Sequence, residues 1–266
     1  MTILNGKKVL VTGVARTDSI AFAVADRAQR LGADVALAVF PRDLESATEA
    51  ARQLTRPPVC TIAADVTITE DLSALEQRLR DEVGHVDAAL HAVAFAPAAA
   101  LAGIVGVPSE TVEMAFRTST HSYAGLAATL SNLAPAGGAS LVGLDFENSQ
   151  AWPVYNWMGP CKAALRSLNQ YLARDLGPRH IRSNLVAAGP LNTRAASGIP
   201  DFDQLLRTWA TRSPIPWDPH DPGPVADAVC FLFSDLSRAV TGEVLHADGG
   251  VHAIADGFIA TESTGT

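Results

Sequence analysis

Short apolar segments alternate with helical segments along most of this chain, and that alternation constrains the fold more than any other feature. Strands are predicted at 7–12, 34–40, 59–64, 86–95, 139–144 and 181–186, with a last one inside 241–250. Parallel strands buried on both faces are continuous apolar runs, and helices connect them. The sequence therefore predicts one α/β domain over residues 1–266: a Rossmann-like, doubly wound parallel sheet of about seven strands with helices on both faces.

Composition and charge restrict the kinds of protein that this chain can be. Apolar residues make up 48% and charged residues 18%, which favours a large core and excludes disorder. A net charge of −8 argues against a nucleic-acid partner. The polar start of the chain and the lack of a long apolar run predict neither a leader nor a membrane segment. Cys60, Cys161 and Cys230 are too few and too widely spaced for a metal site or a disulfide framework, so we expect a reducing cytoplasm.

The first predicted strand ends in a glycine and is followed by a helix. Gly13 closes the strand, and Ser19 is a favourable N-cap residue for a helix that starts with Ile20 and runs to Gly32. A strand, turn and helix of this kind can present backbone N–H groups to a pyrophosphate. The turn lacks the three-glycine pattern of dinucleotide sites, so an ordinary strand-to-helix turn is an equal alternative.

Two later strand ends carry residues that suit an adenine. At the end of the second strand an acidic residue would bind a ribose hydroxyl and an arginine a 2′-phosphate, but segment 40–42 offers neither at the usual position. Phe40 either lies beside an adenine or is a core aromatic. Asp65, followed by Val66, either accepts a hydrogen bond from an adenine amino group or caps the helix near Thr69.

A tyrosine and a lysine lie seven residues apart in a helix predicted to open near Pro153. From Tyr155 to Lys162 a helix turns through about 700°, so both side chains face the same side. A neighbouring ammonium favours the phenolate, and the pair predicts a site that donates a proton or stabilises an oxyanion. A core tyrosine beside a chance lysine is the alternative, and the pair alone is weak evidence.

The segment 194–217 has little predicted regular structure apart from a short amphipathic helix over 202–210, and we expect it to be a mobile substrate-binding lid. Several apolar side chains in or near it either line a pocket for an acyl chain or belong to the core. The predicted pocket residues are Trp152, Met158, Leu191, Ala195, Ile199 and Trp209.

Several motifs, in order along the chain, resemble those of the short-chain dehydrogenase/reductase superfamily. They are Thr12-Gly13, Asp65-Val66, the Tyr155 and Lys162 pair, Gly189-Pro190, and the stretch from Thr241-Gly242 to Asp248-Gly249-Gly250. A Tyr-to-Lys spacing of seven, together with Gly13 followed by Ser19-Ile20-Ala21, is similar to the enoyl-acyl-carrier-protein reductases. Within that family, the chain resembles the mycobacterial-type enzyme in particular, at Asp145-Phe146, Tyr155-Asn156-Trp157-Met158 and 182–190. The resemblance covers nearly the whole chain.

This resemblance implies NADH as cofactor and an enoyl thioester, on acyl carrier protein or coenzyme A, as substrate. The implied reaction is reduction of the trans-2 double bond in fatty acid synthesis, by a cytoplasmic homotetramer. Tyr155 would donate a hydrogen bond to the thioester oxygen, Lys162 would hold the nicotinamide ribose, and Phe146 would lie beside the reacting carbons. The implied cofactor-binding residues are Gly13, Ser19, Ile20, Phe40, Asp65, Val66, Lys162 and Thr193.

The chain departs from the family pattern at three places, and these departures keep three functions open. Segment 92–95 is Ala-Val-Ala-Phe where the family has Ser-Ile-Gly-Phe, Trp152 is unusually bulky, and the lid is short. The intact Tyr155 and Lys162 favour an enoyl reductase of fatty acid synthesis. The departures favour a paralogue of specialised metabolism that acts on a different acyl or polyketide-like substrate. A non-catalytic dinucleotide sensor is the third hypothesis, for which loss of the tyrosine or lysine is expected.

Overall fold

A single parallel sheet forms the centre of the computed structural model, which describes residues 2–255. The predicted domain of 1–266 extends beyond these residues at both ends. The strands are β1 (Lys8–Thr12), β2 (Asp34–Val39), β3 (Thr61–Ala63), β4 (Ala88–His91), β5 (Ala139–Asp145), β6 (Ile181–Ala188) and β7 (Val244–Ala247). Their order across the sheet is β3-β2-β1-β4-β5-β6-β7, and every neighbouring pair is parallel. The predicted doubly wound topology is confirmed.

Helices cover both faces of the sheet. They are α1 (Ile20–Arg30), α2 (Leu44–Ala51), α3 (Thr69–Glu82), α4 (Ala98–Leu101), α5 (Ser109–Phe116), α6 (Ser122–Leu133), α7 (Met158–Leu176), α8 (Asp203–Arg212) and α9 (Gly223–Phe233). The core of one face includes α1 and α9, and that of the other includes α3, α6 and α7. Within residues 2–255, no helix has the length and apolar character needed to cross a bilayer.

The strand β1 shows why the strand segments are continuously apolar. Val9 and Val11 pack into the core beside α1 and α9, whereas Leu10 between them packs into the core on the opposite face. Successive side chains of a strand point to opposite faces, and both faces here are covered by helices. Apolar residues are therefore favoured at successive positions of such a strand, as in 9–11 of β1.

Two predicted elements differ from the observed ones around residue 95. The fourth strand was expected over 86–95, but β4 ends at His91. The long helix expected over 109–133 is present, yet a π-helical turn, Arg117–His121, separates α5 from α6. The hydroxyl of Ser119 in this turn accepts from the Phe95 N–H and donates to the Phe95 carbonyl, at 3.0 Å in each case. The π turn thus holds the segment after β4 out of the sheet.

Candidate active site

The strand order reverses between the paired strands β1 and β4, because the chain leaves them towards opposite edges of the sheet. In parallel sheets, ligands bind beyond the carboxyl ends of the strands at such a point. Gly13 ends β1 with φ of +84°, and a Cβ there would overlap the Ala92 carbonyl oxygen, so glycine is required. The hydroxyl of Ser19 caps α1 by accepting from the Phe22 N–H at 3.2 Å. The turn and the start of α1, with Ile20 as its first residue, therefore lie where a dinucleotide pyrophosphate fits.

Phe40 and Asp65 lie at the ends of β2 and β3. Phe40 is 44% exposed, with the Arg42 guanidinium 5.2 Å from its ring centroid, so it is not a core residue. Asp65 accepts from the Thr67 N–H at 2.9 Å, whereas the N-cap position of α3 is Ile68 without a side-chain cap. The helix-cap alternative for Asp65 is therefore wrong. Val66 beside it is buried.

Ala94 stands where glycine was expected from the family pattern. Its side chain is exposed, and its φ is not in the left-handed region that penalises alanine. The replacement of glycine by alanine at this position therefore introduces no backbone strain.

Tyr155 does not lie in the helix that carries Lys162. The helix α7 begins at Met158, and 153–157 form a turn in which Val154 and Asn156 have φ of 59° and 39°. A left-handed valine costs about 1–3 kcal/mol and persists only where its surroundings impose it. Those surroundings are the carbonyls near α4, because Asn156 Nδ2 donates to Leu101 O at 2.6 Å. The prediction that both side chains share a helix face is therefore wrong.

The phenol of Tyr155 is buried, and its environment determines its protonation. Burial raises the pKa of Tyr155 above its usual value, and the nearby carboxylate of Asp145 raises it further. The expected lowering of this pKa by a neighbouring ammonium is not observed. Tyr155 is therefore a neutral hydrogen-bond donor, which favours oxyanion stabilisation over proton loss.

Lys162 is the fifth residue of α7 and is 5% exposed. Its Nζ donates to the Leu144 carbonyl of β5 at 2.7 Å. Burial lowers the pKa of Lys162, and the carboxylate of Asp145 opposes that shift. An ammonium has three N–H donors, so two remain after the bond to Leu144 and can serve ribose hydroxyls.

An aromatic cluster, defined by Phe146, Trp152, Tyr155 and Trp209, lies beyond the end of β5. Ring centroids are 4.7 Å apart for Phe146 and Tyr155, 5.4 Å for Phe146 and Trp209, 6.0 Å for Phe146 and Trp152, and 4.9 Å for the two tryptophans. These separations are typical of aromatic side chains in contact. The helix expected over 202–210 is α8, and it contributes Trp209 to the cluster. The mobility of segment 194–217 stays a prediction.

The structure brings four of the six predicted pocket residues together. Met158 and Ile199 pack with Trp152 and Trp209 in the apolar group around the aromatic cluster. Leu191 instead belongs to the core that includes α1 and α9, and Ala195 is exposed. The predicted cofactor residue Thr193 accepts from the Ala196 N–H at 3.2 Å, and thereby caps a short turn.

Two carboxylates flank Phe146 and share one arginine, a feature that the sequence analysis missed. Arg166 Nε donates to Asp145 Oδ2 at 2.7 Å, and Arg166 Nη2 donates to Glu147 Oε2 at 3.1 Å. The side chains of Asp145 and Glu147 are 0% and 4% exposed. Arg166 lies one helical turn after Lys162, so α7 carries both the buried ammonium and the shared arginine.

These ion pairs continue into a charged network, defined by Asp145, Glu147, Arg166, His246, Asp248 and His252. His246 Nε2 is 2.7 Å from Glu147 Oε2, and its ring stacks on that of His252 at 3.8 Å. His252 Nδ1 in turn lies 3.0 Å from Asp248 Oδ1. Burial alone would raise the pKa of Glu147, but hydrogen bonds from Ser149, His246 and Arg166 lower it to about 2.

Together these features define a class of protein. A glycine turn at the reversal of strand order, followed by a buried phenol and ammonium beyond β5, is the arrangement of a dinucleotide-dependent oxidoreductase of the short-chain dehydrogenase/reductase type.

Comparison with known proteins narrows this class to a family. A family model described as Enoyl-(Acyl carrier protein) reductase matches residues 13–252, and the chain belongs to that family. An Enoyl-[acyl-carrier-protein] reductase [NADH] of Mycolicibacterium smegmatis is 40% identical over 265 residues, covering 93% of this chain and 97% of the relative. The Mycobacterium avium protein of the same name is 39% identical, with 93% and 97% covered. The Bacillus subtilis reductase, also named as NADH-dependent, is 34% identical, with 95% and 98% covered.

Proposed function

We propose that this chain uses NADH to reduce the trans-2 double bond of an enoyl thioester in fatty acid synthesis. The observation that carries the proposal is the neutral, buried phenol of Tyr155, packed against Phe146 beyond the end of β5. Membership of the enoyl reductase family supports it, as do relatives whose names state NADH dependence.

The chemistry of the chain's own residues follows from this arrangement. NADH, when bound, supplies the hydride that adds to the carbon β to the thioester. Negative charge then collects on the thioester oxygen, and the O–H of Tyr155 stabilises it by a hydrogen bond that strengthens as charge develops. The surrounding rings exclude water and so increase the strength of that bond. Lys162 offers its two remaining N–H groups to the nicotinamide ribose.

Two surface ion pairs support NADH over NADPH. Arg16 and Arg42 are the arginines near the adenine end that suit a 2′-phosphate. Arg16 Nε lies 3.7 Å from Asp18 Oδ1, and Arg42 Nε lies 3.6 Å from Asp43 Oδ1. A phosphate at this position would meet those carboxylates, whereas the exposed ring of Phe40 offers an adenine a stacking surface.

The proposal also includes the protein that carries the thioester, the oligomeric state of the enzyme and its cellular compartment. Exposed Arg194 and Arg207, beside the site, suit an acidic acyl carrier protein as the bearer of the thioester. Apolar side chains on α5, Met114 at 42% and Phe116 at 44% exposure, suit burial between subunits of a homotetramer. The three cysteines are buried and unpaired, which suits the cytoplasm.

The test of the proposed function is the oxidation of NADH by the purified protein with crotonyl-CoA. Tyr155→Phe should lower turnover by about 10²-fold or more, because it removes the oxyanion donor, and should leave the Kd for NADH unchanged. Tyr171→Phe is the matched control, since it deletes the same hydroxyl from an exposed position on α7 and should behave as the native protein does. Full activity of Tyr155→Phe would contradict the proposed role of the phenol.

A second candidate function is favoured by one observation. The rings of the aromatic cluster already contact one another, which suits a specialised enzyme with an unusual acyl substrate better than one that elongates long chains. A series of enoyl thioesters of different length separates the two candidates.

A further inference from the structure

The two sides of Phe146 differ in what they can offer an acyl chain. On one side lie the ion pairs of Asp145 and Glu147 with Arg166. On the other side lies the aromatic cluster, packed with Met158 and Ile199. Methylene groups gain free energy only against apolar surface. An acyl chain whose carbonyl oxygen meets Tyr155 must therefore extend along the aromatic cluster.

The aromatic cluster leaves little length for such a chain. The Trp152 ring contacts both Phe146 and Trp209, with centroids 6.0 and 4.9 Å away. Beyond Trp152 lies a charge, since the Arg212 guanidinium is 5.6 Å from the Trp152 ring centroid. A long alkyl chain that passed Trp152 would have to separate these rings and place its end beside a guanidinium.

The two tryptophans of the cluster are held differently. Trp209 is 1% exposed and donates its indole N–H to the Asp248 carbonyl at 2.9 Å. Trp209 also packs against Gly189, where an added Cβ would lie 2.8 Å from the indole nitrogen. Trp152 is only partly buried, and its indole N–H finds no acceptor within residues 2–255. Trp209 is therefore fixed by a hydrogen bond, whereas Trp152 is held by ring packing and by the guanidinium of Arg212.

We propose that Trp152 closes the acyl pocket, and that the substrate is an enoyl thioester with a short or compact acyl group rather than a long linear chain. This inference rests on the proposed function and specifies its substrate class. Trp152 is the residue that determines acyl length, because it fills the space beyond Phe146 and is not anchored by a hydrogen bond.

The test compares native protein, Trp152→Met and Trp157→Met on crotonyl-CoA, octenoyl-CoA and dodecenoyl-CoA with NADH. Trp157 is the matched control because its indole N–H donates to the Ile104 carbonyl at 3.1 Å, outside the aromatic cluster. A second readout is calorimetric binding of butanoyl-CoA and dodecanoyl-CoA in the presence of NAD⁺. Methionine is chosen because a flexible, unbranched side chain leaves room for methylene groups.

Native protein should reduce dodecenoyl-CoA with kcat/KM at least about 10-fold below that for crotonyl-CoA, the size expected when a pocket rejects extra methylenes. Trp152→Met should raise kcat/KM for dodecenoyl-CoA by about 10-fold or more and should tighten dodecanoyl-CoA binding. Trp157→Met should keep the native preference.

A native preference for dodecenoyl-CoA would overturn the inference, as would an unchanged preference in Trp152→Met. If no protein reduces any thioester, the proposed function fails, and the binding series still decides the inference. Tighter dodecanoyl-CoA binding by Trp152→Met would then support a pocket closed by Trp152, and equal binding would overturn it.

Discussion

The end of β5 separates two regions built from different chemistry. Asp145 and Glu147 point into the charged network, whereas Phe146 between them points into the aromatic cluster. The alternation of side chains along an extended chain produces this division within three residues. The two regions share a backbone, so each one helps to position the other.

The difference between the two regions shows that one strand end can form a site by ring packing and be held in place by ion pairs. Ring packing in the aromatic cluster sets the form of the proposed substrate site and does not depend on pH. Ion pairs and hydrogen bonds in the charged network tie β5 to α7 through Arg166 and to β7 through His246, and they depend on ionised carboxylates. Substitutions on the two sides should therefore differ in their response to acid.

The largest effect on stability is expected on the aromatic side, from Trp209→Ala. Removing this fully buried ring should lower the free energy of unfolding by about 3–5 kcal/mol, through lost packing and the cavity that remains. The loss should be the same at neutral pH and at about pH 4, because the indole N–H donates to a backbone carbonyl, that of Asp248, which does not titrate. Urea unfolding at both pH values measures it, with the half-buried Trp157→Ala as the milder control. If the loss of unfolding free energy in Trp209→Ala changed with pH, the aromatic cluster would not be independent of pH.

A smaller effect is expected on the charged side, from Arg166→Met. This change leaves Asp145 and Glu147 buried without their shared cation, and should cost about 3 kcal/mol at neutral pH. The cost should shrink in acid, where protonated carboxyls need no cation. Arg78→Met is the matched control, since Arg78 pairs with Glu82 at 2.6 Å on the surface and such pairs contribute below about 1 kcal/mol. If urea unfolding gave the same loss of stability for Arg166→Met and Arg78→Met, the buried ion pairs would contribute no more than a surface pair.

The smallest effect on stability is expected from Glu147→Gln, and its size depends on pH. The pKa of Glu147 is lowered from 4.5 to about 2, so its carboxylate stabilises the fold above about pH 4.5 and loses that contribution as the pH falls towards 2. The native protein should exceed Glu147→Gln by about 2–3 kcal/mol at neutral pH, and the difference should vanish near pH 2. If the unfolding free energies of the native protein and Glu147→Gln changed in parallel with pH across this range, Glu147 would not be ionised and hydrogen-bonded as inferred.

Most of the fold could be predicted from the sequence because its strands are buried on both faces. Continuous apolar runs identified the strands, and the residues at their ends, Gly13, Phe40 and Asp65, were correctly placed at one edge of the sheet. Capping by Ser19 was also predictable, since it involves residues only three apart.

The features that were missed depend on contacts between distant segments. Periodicity extended α7 backwards over Tyr155, but carbonyls near α4 hold that turn in a left-handed conformation. The π turn has no periodic pattern of its own, and it depends on Ser119 meeting Phe95. The charged network requires residues of β5, α7 and β7 to meet, and no local pattern reveals that Arg166 and His246 share Glu147.

The turn at Tyr155 has a consequence for how this protein becomes active. The phenol and Lys162 are seven residues apart in the chain, yet Lys162 is bound to β5 and the turn is bound to the segment around Leu101. Neither a newly made helix α7 nor an isolated peptide could bring the two groups into their working arrangement. Enzymatic turnover is thus a sensitive reporter of completed folding, because it needs three separate stretches of chain to have docked.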